Sequence, residues 1–262
     1  MRIALSIEYN GTCYYGWQKQ KINKSKTIQY HVDKAISVIA NEPIVSTCAG
    51  RTDTGVHAFS QIIHFDTTKK RKDYKWIQGI NSFLPSDILV KDIFHVDESF
   101  HARYSALDRT YRYIILNQKY PSTHLLDNVL HFDQKINISK IRSTFKYFKG
   151  EKDYSCFRSS GCSAKNAVKH IKSIKISRNN NLIYIDITSN SFLYHMVRNI
   201  VGSLLDIGIL KYNPESIDTL INSLDRKLCG KMVPASGLYL MTASYPKKYK
   251  ISSDKKFSFF KI

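Results

Sequence analysis

The chain opens on an alternation of apolar and polar positions. Residues 2–9 put Ile3, Leu5, Ile7 and Tyr9 on one face, which predicts a strand, and Asn10-Gly11 marks a turn behind it. The period then becomes helical. Ile28, Val32, Ala35, Ile36 and Ile39 form a single stripe, with Thr27 placed to cap its start and Pro43 just past its end. A short strand near 44–49 leads into Gly50-Arg51-Thr52-Asp53-Thr54-Gly55, a polar loop bounded by glycine. Strands follow over 59–65 and 88–96, around a helix over 74–83.

The second half repeats the mixture. Strands are predicted over 109–117, 167–177, 182–189 and 237–244. Helices are predicted over 138–149, with Ile138, Ile141, Phe145 and Phe148 inward, and over 192–210 and 214–224. The order of elements is similar in both halves, without a repeat of residue identity. The expected fold class is α+β, two sheet-and-helix halves with mainly antiparallel sheets. The expected divisions are an N-terminal half over 1–105, a C-terminal half over 106–245, and a basic tail over 246–262 in which Asp254 is the single acid.

Composition sharpens this picture. A chain of 262 residues, 43% hydrophobic, can bury a substantial core. It contains no apolar run of about 18 residues, so no membrane-spanning helix is expected. Glu8 interrupts the apolar region that a signal peptide needs, which points to the cytoplasm. The five cysteines are odd in number and form no CxxC pair, and Cys156 and Cys162 near His170 are too loosely spaced for metal ligands. Neither a disulfide framework nor a metal site is expected.

The formal charge of +19, from 40 basic and 21 acidic residues, points to a polyanionic partner, most simply nucleic acid. Part of the excess is lysine drift on a solvated surface. Its distribution is more telling: residues 1–105 hold 14 basic and 10 acidic groups, and 106–262 hold 26 and 11. The second half is therefore the expected electrostatic face. In a lysine-rich chain each arginine is the better candidate for a geometric role, because a planar fork binds carboxylate or phosphate in a way an ammonium cannot. Arg51, Arg103, Arg109, Arg112, Arg158, Arg198 and Arg226 fall in the segments of interest.

Three segments are candidates for chemistry. In the Gly50–Gly55 loop, Asp53 stands beside Arg51, between strands, where a side chain can project into a cleft. An Asp in such a loop commonly forms a turn or caps a helix. A nucleophilic carboxylate must be ionised, and a neighbouring guanidinium lowers its pKa. In Arg109-Thr110-Tyr111-Arg112-Tyr113, a strand would put Arg109, Tyr111 and Tyr113 on one face. That suits a nucleotide, ring for base and fork for phosphate, and equally a cross-strand aromatic pair flanked by surface charge. In Phe192–Gly202, Leu193, Val197, Ile200, Val201 and Leu204 make a buried helical stripe that Arg198 adjoins. A half-buried arginine needs an anionic partner, for which Asp53 is a candidate. His195 reads as packing or surface.

These segments carry a family resemblance. Asn10-Gly11 through Gly16-Trp17-Gln18, Ala49 through Ala58, Phe100-His101-Ala102-Arg103, Tyr111-Arg112-Tyr113, Asp153 through Phe157-Arg158, Met196 through Gly202, and Gly237-Leu238 occur in the order and register of the TruA family of tRNA pseudouridine synthases. Thr54 and Tyr104 stand where Ala and Phe are common, and the basic tail has no counterpart. The resemblance implies conversion of uridine to pseudouridine at positions 38, 39 and 40 of the tRNA anticodon stem-loop, without metal or other cofactor. It implies an active-site cleft between the halves, with Asp53 as nucleophile and Arg198 holding it ionised. Tyr111 would stack on the uracil and could serve as general base, while Arg51 would fill the space left by a flipped base. It further implies a homodimer with tRNA on the basic surface of both subunits. Two other classes, an RNA-binding module without catalysis and a metal-dependent nuclease, fit less well. Binding alone needs no carboxylate facing the base, and a nuclease would show clustered acidic ligands.

Overall fold

The opening alternation forms strand β1 (Arg2–Tyr9), and nearly all of it is buried, not one face only. Ile3, Leu5 and Ile7 lie to one side, as their spacing predicts. On the other, Ala4 packs in a second cluster with Ala49, Ile62, Phe100, Ala102, Ala243 and Tyr245. Small Ala4 marked no apolar face, because its partners come from distant segments. The structure, a computed structural model, describes residues 1–252.

Helix α1 (Ile28–Ala40) follows, and it buries Ile28, Val32, Ala35 and Ile36 of the predicted stripe. Thr27 is the residue before it, but its hydroxyl donates back to the Lys24 carbonyl instead of accepting from the helix. The strand expected near 44–49 shortens to β2 (Thr47–Cys48), which pairs antiparallel with β3 (His57–Asp66). Helix α2 (Asp73–Phe83) packs on α1 and on strand β4 (Ile88–Val96). Strand β1 lies between β3 and β4, antiparallel to both.

In the second half the strands run in the order β5 (Asp108–Asn117), β9 (Leu182–Ser189), β8 (Val168–Asn179) and β7 (Gly150–Asp153). Strand β5 (Asp108–Asn117) also carries short β6 (Leu130–Phe132), parallel to its end. The helix predicted over 138–149 divides into α3 (Ile138–Ser143) and α4 (Phe145–Phe148). The bonds Thr144 N to Ile141 O and Tyr147 N to Thr144 O tighten the backbone at Thr144. Strand β7 (Gly150–Asp153) pairs antiparallel with β8 (Val168–Asn179), and β8 with β9 (Leu182–Ser189). Helix α5 (Met196–Gly208) begins four residues later than its apolar stripe predicts, because His195 adopts a left-handed φ of 61°. Helix α6 (Ser216–Ser223) follows.

The last strand, β10 (Leu238–Ser244), runs parallel to β3, with Tyr239 opposite His57 and Leu240 opposite Ala58. The chain thus folds as two compact units. Among the described residues, the first comprises Met1–Arg109 and residues 239–252, and the second comprises Thr110–Leu238. Linear order assigned residues 239–245 to the second half; the partner that β10 finds, and the burial of Ala243 and Tyr245 in the Ala4 cluster, put them in the first. The tail from Pro246 has Tyr249 buried, and its remainder past residue 252 lies outside the described residues. The fold class is α+β with mainly antiparallel sheets. Among the described residues no helix is long and apolar enough to cross a membrane.

Candidate active site

The loop between β2 and β3 is bound to a second loop of the first unit, the one that follows β1. Trp17 N donates to Thr52 O at 3.0 Å, and Gly55 N donates to Tyr14 O at 3.3 Å. Gly16 makes this approach possible. Its φ is +83°, and a Cβ there would stand 2.6 Å from Thr52 O, so a side chain would strain the backbone and strike the loop. The Asp53 carbonyl accepts from Val56 N at 3.1 Å, which closes a tight turn. Gly55, with φ +75°, occupies the turn position that demands positive φ.

Asp53 leaves this turn partly exposed, and Arg51 is exposed two residues before it. The buried Cys48 thiol, just upstream, is pushed up to about 12 by burial, against the opposing charges of Arg51 and Arg103. Positive charge thus surrounds the start of the loop. Arg109 reinforces it: Nε and Nη2 donate to Ala49 O at 3.2 and 2.9 Å, and Nη2 also donates to Arg103 O.

The second unit holds the other two candidates. Tyr111, on β5, is 9% exposed, and Phe192 meets its ring edge-on at 5.1 Å and 85°. Arg198 lies in the first turn of α5, where Nε donates to Val233 O at 2.8 Å. Next to Val233, the Pro234 carbonyl accepts from Tyr113 OH at 2.8 Å, and the Arg198 charge opposes the rise that burial imposes on that phenol. Arg198 and Tyr113 therefore meet at the 233–234 segment. The structure groups Arg51 with Asp53 in one unit, and Tyr111 and Arg198 belong to the other.

The Arg109-Tyr111-Tyr113 face divides among different duties. Arg109 ties down carbonyls, and Tyr113 is core with its hydroxyl bonded to the chain. Tyr111 is buried as well, though less completely than Tyr113. Arg112 is held by Asp186 on β9, at 2.7 and 2.9 Å through Nε and Nη2. Arg158 donates to Cys162 O and Ala164 O, and Arg226 donates to Asn199 Oδ1 at 2.9 Å. Asn199, fully buried, in turn donates to Phe157 O at 2.8 Å and locks the start of α5 to the 157–159 segment. Geometry does fix these arginines, but toward protein groups. His195 stacks on Tyr194 at 3.7 Å, and burial, then the charges of Arg198 and Arg226, lower its pKa to about 4. It lies half-buried at the start of α5. Sequence reasoning did not single out Gln61, and it gave Tyr9 and Asn199 no bonding role; a polar group in a buried strand or stripe was the available signal.

A family model described as tRNA pseudouridine synthase matches residues 5–105 and 144–246. Arg51, Asp53 and Arg198 fall inside the matched segments, and Tyr111 falls between them. Proteins named tRNA pseudouridine synthase A are similar over nearly all of the chain. That of Hydrogenovibrio crunogenus is 44% identical over 249 residues, covering 95% of this chain and 94% of its own. That of Vibrio campbellii is 43% identical over 249 residues, with the same coverage of 95% and 94%. That of Buchnera aphidicola subsp. Acyrthosiphon pisum is 45% identical over 243 residues, covering 93% and 91%.

Proposed function

This chain belongs to the tRNA pseudouridine synthase family and is an isomerase of tRNA uridine; we propose that it acts at positions 38, 39 and 40 of the anticodon stem-loop, through an Asp53 nucleophile and a flipped-out base. The observation that carries the reading is the Asp53 turn. A carboxylate emerges partly exposed from a loop whose backbone is fixed on two sides and whose surroundings are cationic. Turn formation by itself needs no such exposure.

The reaction breaks the bond between uracil N1 and ribose C1′ and makes one from C5 to C1′. The C5 proton leaves and N1 gains one, so nothing is consumed overall. Asp53 attacks the sugar at or near the anomeric carbon, as a retaining glycosidase carboxylate does. Arg198 keeps that carboxylate in its ionised form. Tyr111 stacks on the uracil, and its hydroxyl moves a proton during the glycosidic step. Arg51 takes the space that the flipped base leaves, since chemistry on a base requires that it leave the stack. The enzyme works as a homodimer, with tRNA lying on basic surface from both copies.

Tritium release from tRNA carrying 5-labelled uridine, with pseudouridine mapped by sequencing, tests this reading. Wild type should release label and modify positions 38–40, and Asp53→Asn should not. Release that survives in Asp53→Asn, or modification confined to other positions, would overturn it. Tight tRNA binding without release would mark a binding module instead.

A further inference from the structure

The ladder between β2 and β3 ends one residue before the Asp53 loop begins. Its last bond runs from Ala49 N to Ile62 O at 2.8 Å. At the next peptide a side chain replaces the backbone. Gln61 Nε2 donates to Gly50 O at 2.6 Å, and Gly50 N donates to Gln61 Oε1 at 3.4 Å. One carboxamide thus holds both polar groups of Gly50, while the chain is released from the sheet to form the loop.

The same amide reaches Tyr9 OH at 3.5 Å, and that hydroxyl shares a 2.7 Å bond with Thr52 Oγ1. Thr52 is therefore gripped through its side chain from β1 and, through its carbonyl, by Trp17 N at 3.0 Å. All three residues are buried: Gln61 is 0% exposed, Tyr9 3% and Thr52 6%. A buried carboxamide between apolar neighbours is costly unless every group is bonded. Leu or Met would fill the volume without that cost. Neither could hold a peptide that has left its ladder.

We infer that Tyr9 and Gln61 are positioning residues for the reaction, forming with Thr52 a buried lattice that aims the Asp53 carboxylate. They touch the loop at Gly50 and at Thr52, the residue directly before Asp53, and act through it. This rests on Asp53 as nucleophile. A misplacement of about 1 Å in a reacting group can lower rates by up to about 10²-fold, so the lattice acts on the chemical step and not on affinity for tRNA.

The test uses full-length Tyr9→Phe, Thr52→Val, Thr52→Ser and the Tyr9→Phe/Thr52→Val pair, with kcat, KM and melting temperature measured for each. Tyr9→Phe keeps the buried ring, and Thr52→Val keeps the branched shape. Each should lower kcat by about 10-fold or more with KM for tRNA within about twofold, Thr52→Ser should restore activity, and the double variant should be no slower than the worse single. Gln61→Glu, which keeps shape but loses the donor, gives a third route should a Thr52 variant not fold. A kcat within about twofold of wild type in Tyr9→Phe and Thr52→Val overturns the inference, as does multiplicative loss or loss confined to KM. Asp53→Asn run alongside separates the two readings. If it stays active the nucleophile is misassigned, and if it is dead while Tyr9→Phe is normal only the lattice fails.

Discussion

The loop that carries Asp53 and the two elements that carry Tyr111 and Arg198 place their side chains by different means. Tyr111 sits on β5 and Arg198 in the first turn of α5, so the local ladder or helix fixes each backbone and neighbours only tune the side chain. Asp53 has no such scaffold. Its loop is held by Trp17 N, Tyr14 O, Gln61 and Arg109, each bonding to a peptide that regular structure would otherwise have satisfied. The lesson concerns sensitivity. A side chain on a regular element tolerates change at its distant neighbours, whereas a loop that derives its shape from residues 9 to 109 depends on all of them.

The largest effect that sharpens this contrast is at the carboxylate. Asp53→Asn should cut turnover by at least about 10²-fold while melting temperature and tRNA affinity change little, because the amide keeps the shape but has no comparable nucleophilicity. Single-turnover assays with saturating enzyme measure it. Residual activity above about a hundredth of wild type would move the nucleophile elsewhere.

On the second unit, Tyr111→Phe keeps the ring against Phe192 and removes only the hydroxyl. If that hydroxyl moves a proton, the single-turnover rate should fall by roughly 10²–10⁴-fold with affinity preserved. A near wild-type rate would leave Tyr111 as a stacking platform alone.

Gly16→Ala breaks the comparison from the loop side. The methyl would meet Thr52 O at 2.6 Å from a backbone of φ +83°. We expect about 1–3 kcal/mol of lost stability, seen in urea melts, with a fall in kcat beyond what the folded fraction explains. An equal alanine substitution at Ser203 on α5, whose helical backbone accepts Ala, should cost stability without that extra loss in kcat.

The smallest effect is shared by the two units. Burial lowers the pKa of His64 in the first and His195 in the second to about 4. Arg2 and His101 add to the shift at His64, as Arg198 and Arg226 do at His195. Both rings are neutral in the native state at pH 7, whereas an unfolded chain takes up their protons near pH 6.5. Their contribution to stability is therefore complete above about pH 6.5 and is lost as pH falls toward about 4. Thermal melts between pH 7 and 4 should show a shallower acid slope in His64→Asn and in His195→Asn, where Asn also tolerates the φ of 61°. An unchanged slope would mean that neither ring is neutral for this reason.

The sequence by itself determined most elements and the identity of the loop. Periodicity located β1, α1, β4, β5, β9 and the apolar stripe of α5, because burial of a face is a local property of spacing. Motif order identified the family, and composition made a polyanion the natural partner. Only the tertiary structure decided the rest, because long-range pairing leaves no mark on local spacing. It returned β10 to the first unit by pairing it with β3, and it buried the second face of β1 through Ala4. It also assigned Arg109, Arg112, Arg158 and Arg226 to protein partners, since a guanidinium serves a carbonyl, a carboxylate or a phosphate with the same fork. The grip of Tyr9 and Gln61 on the Asp53 loop joins residues 43 and 11 positions away along the chain, and such a bond exists only once the sheet has formed.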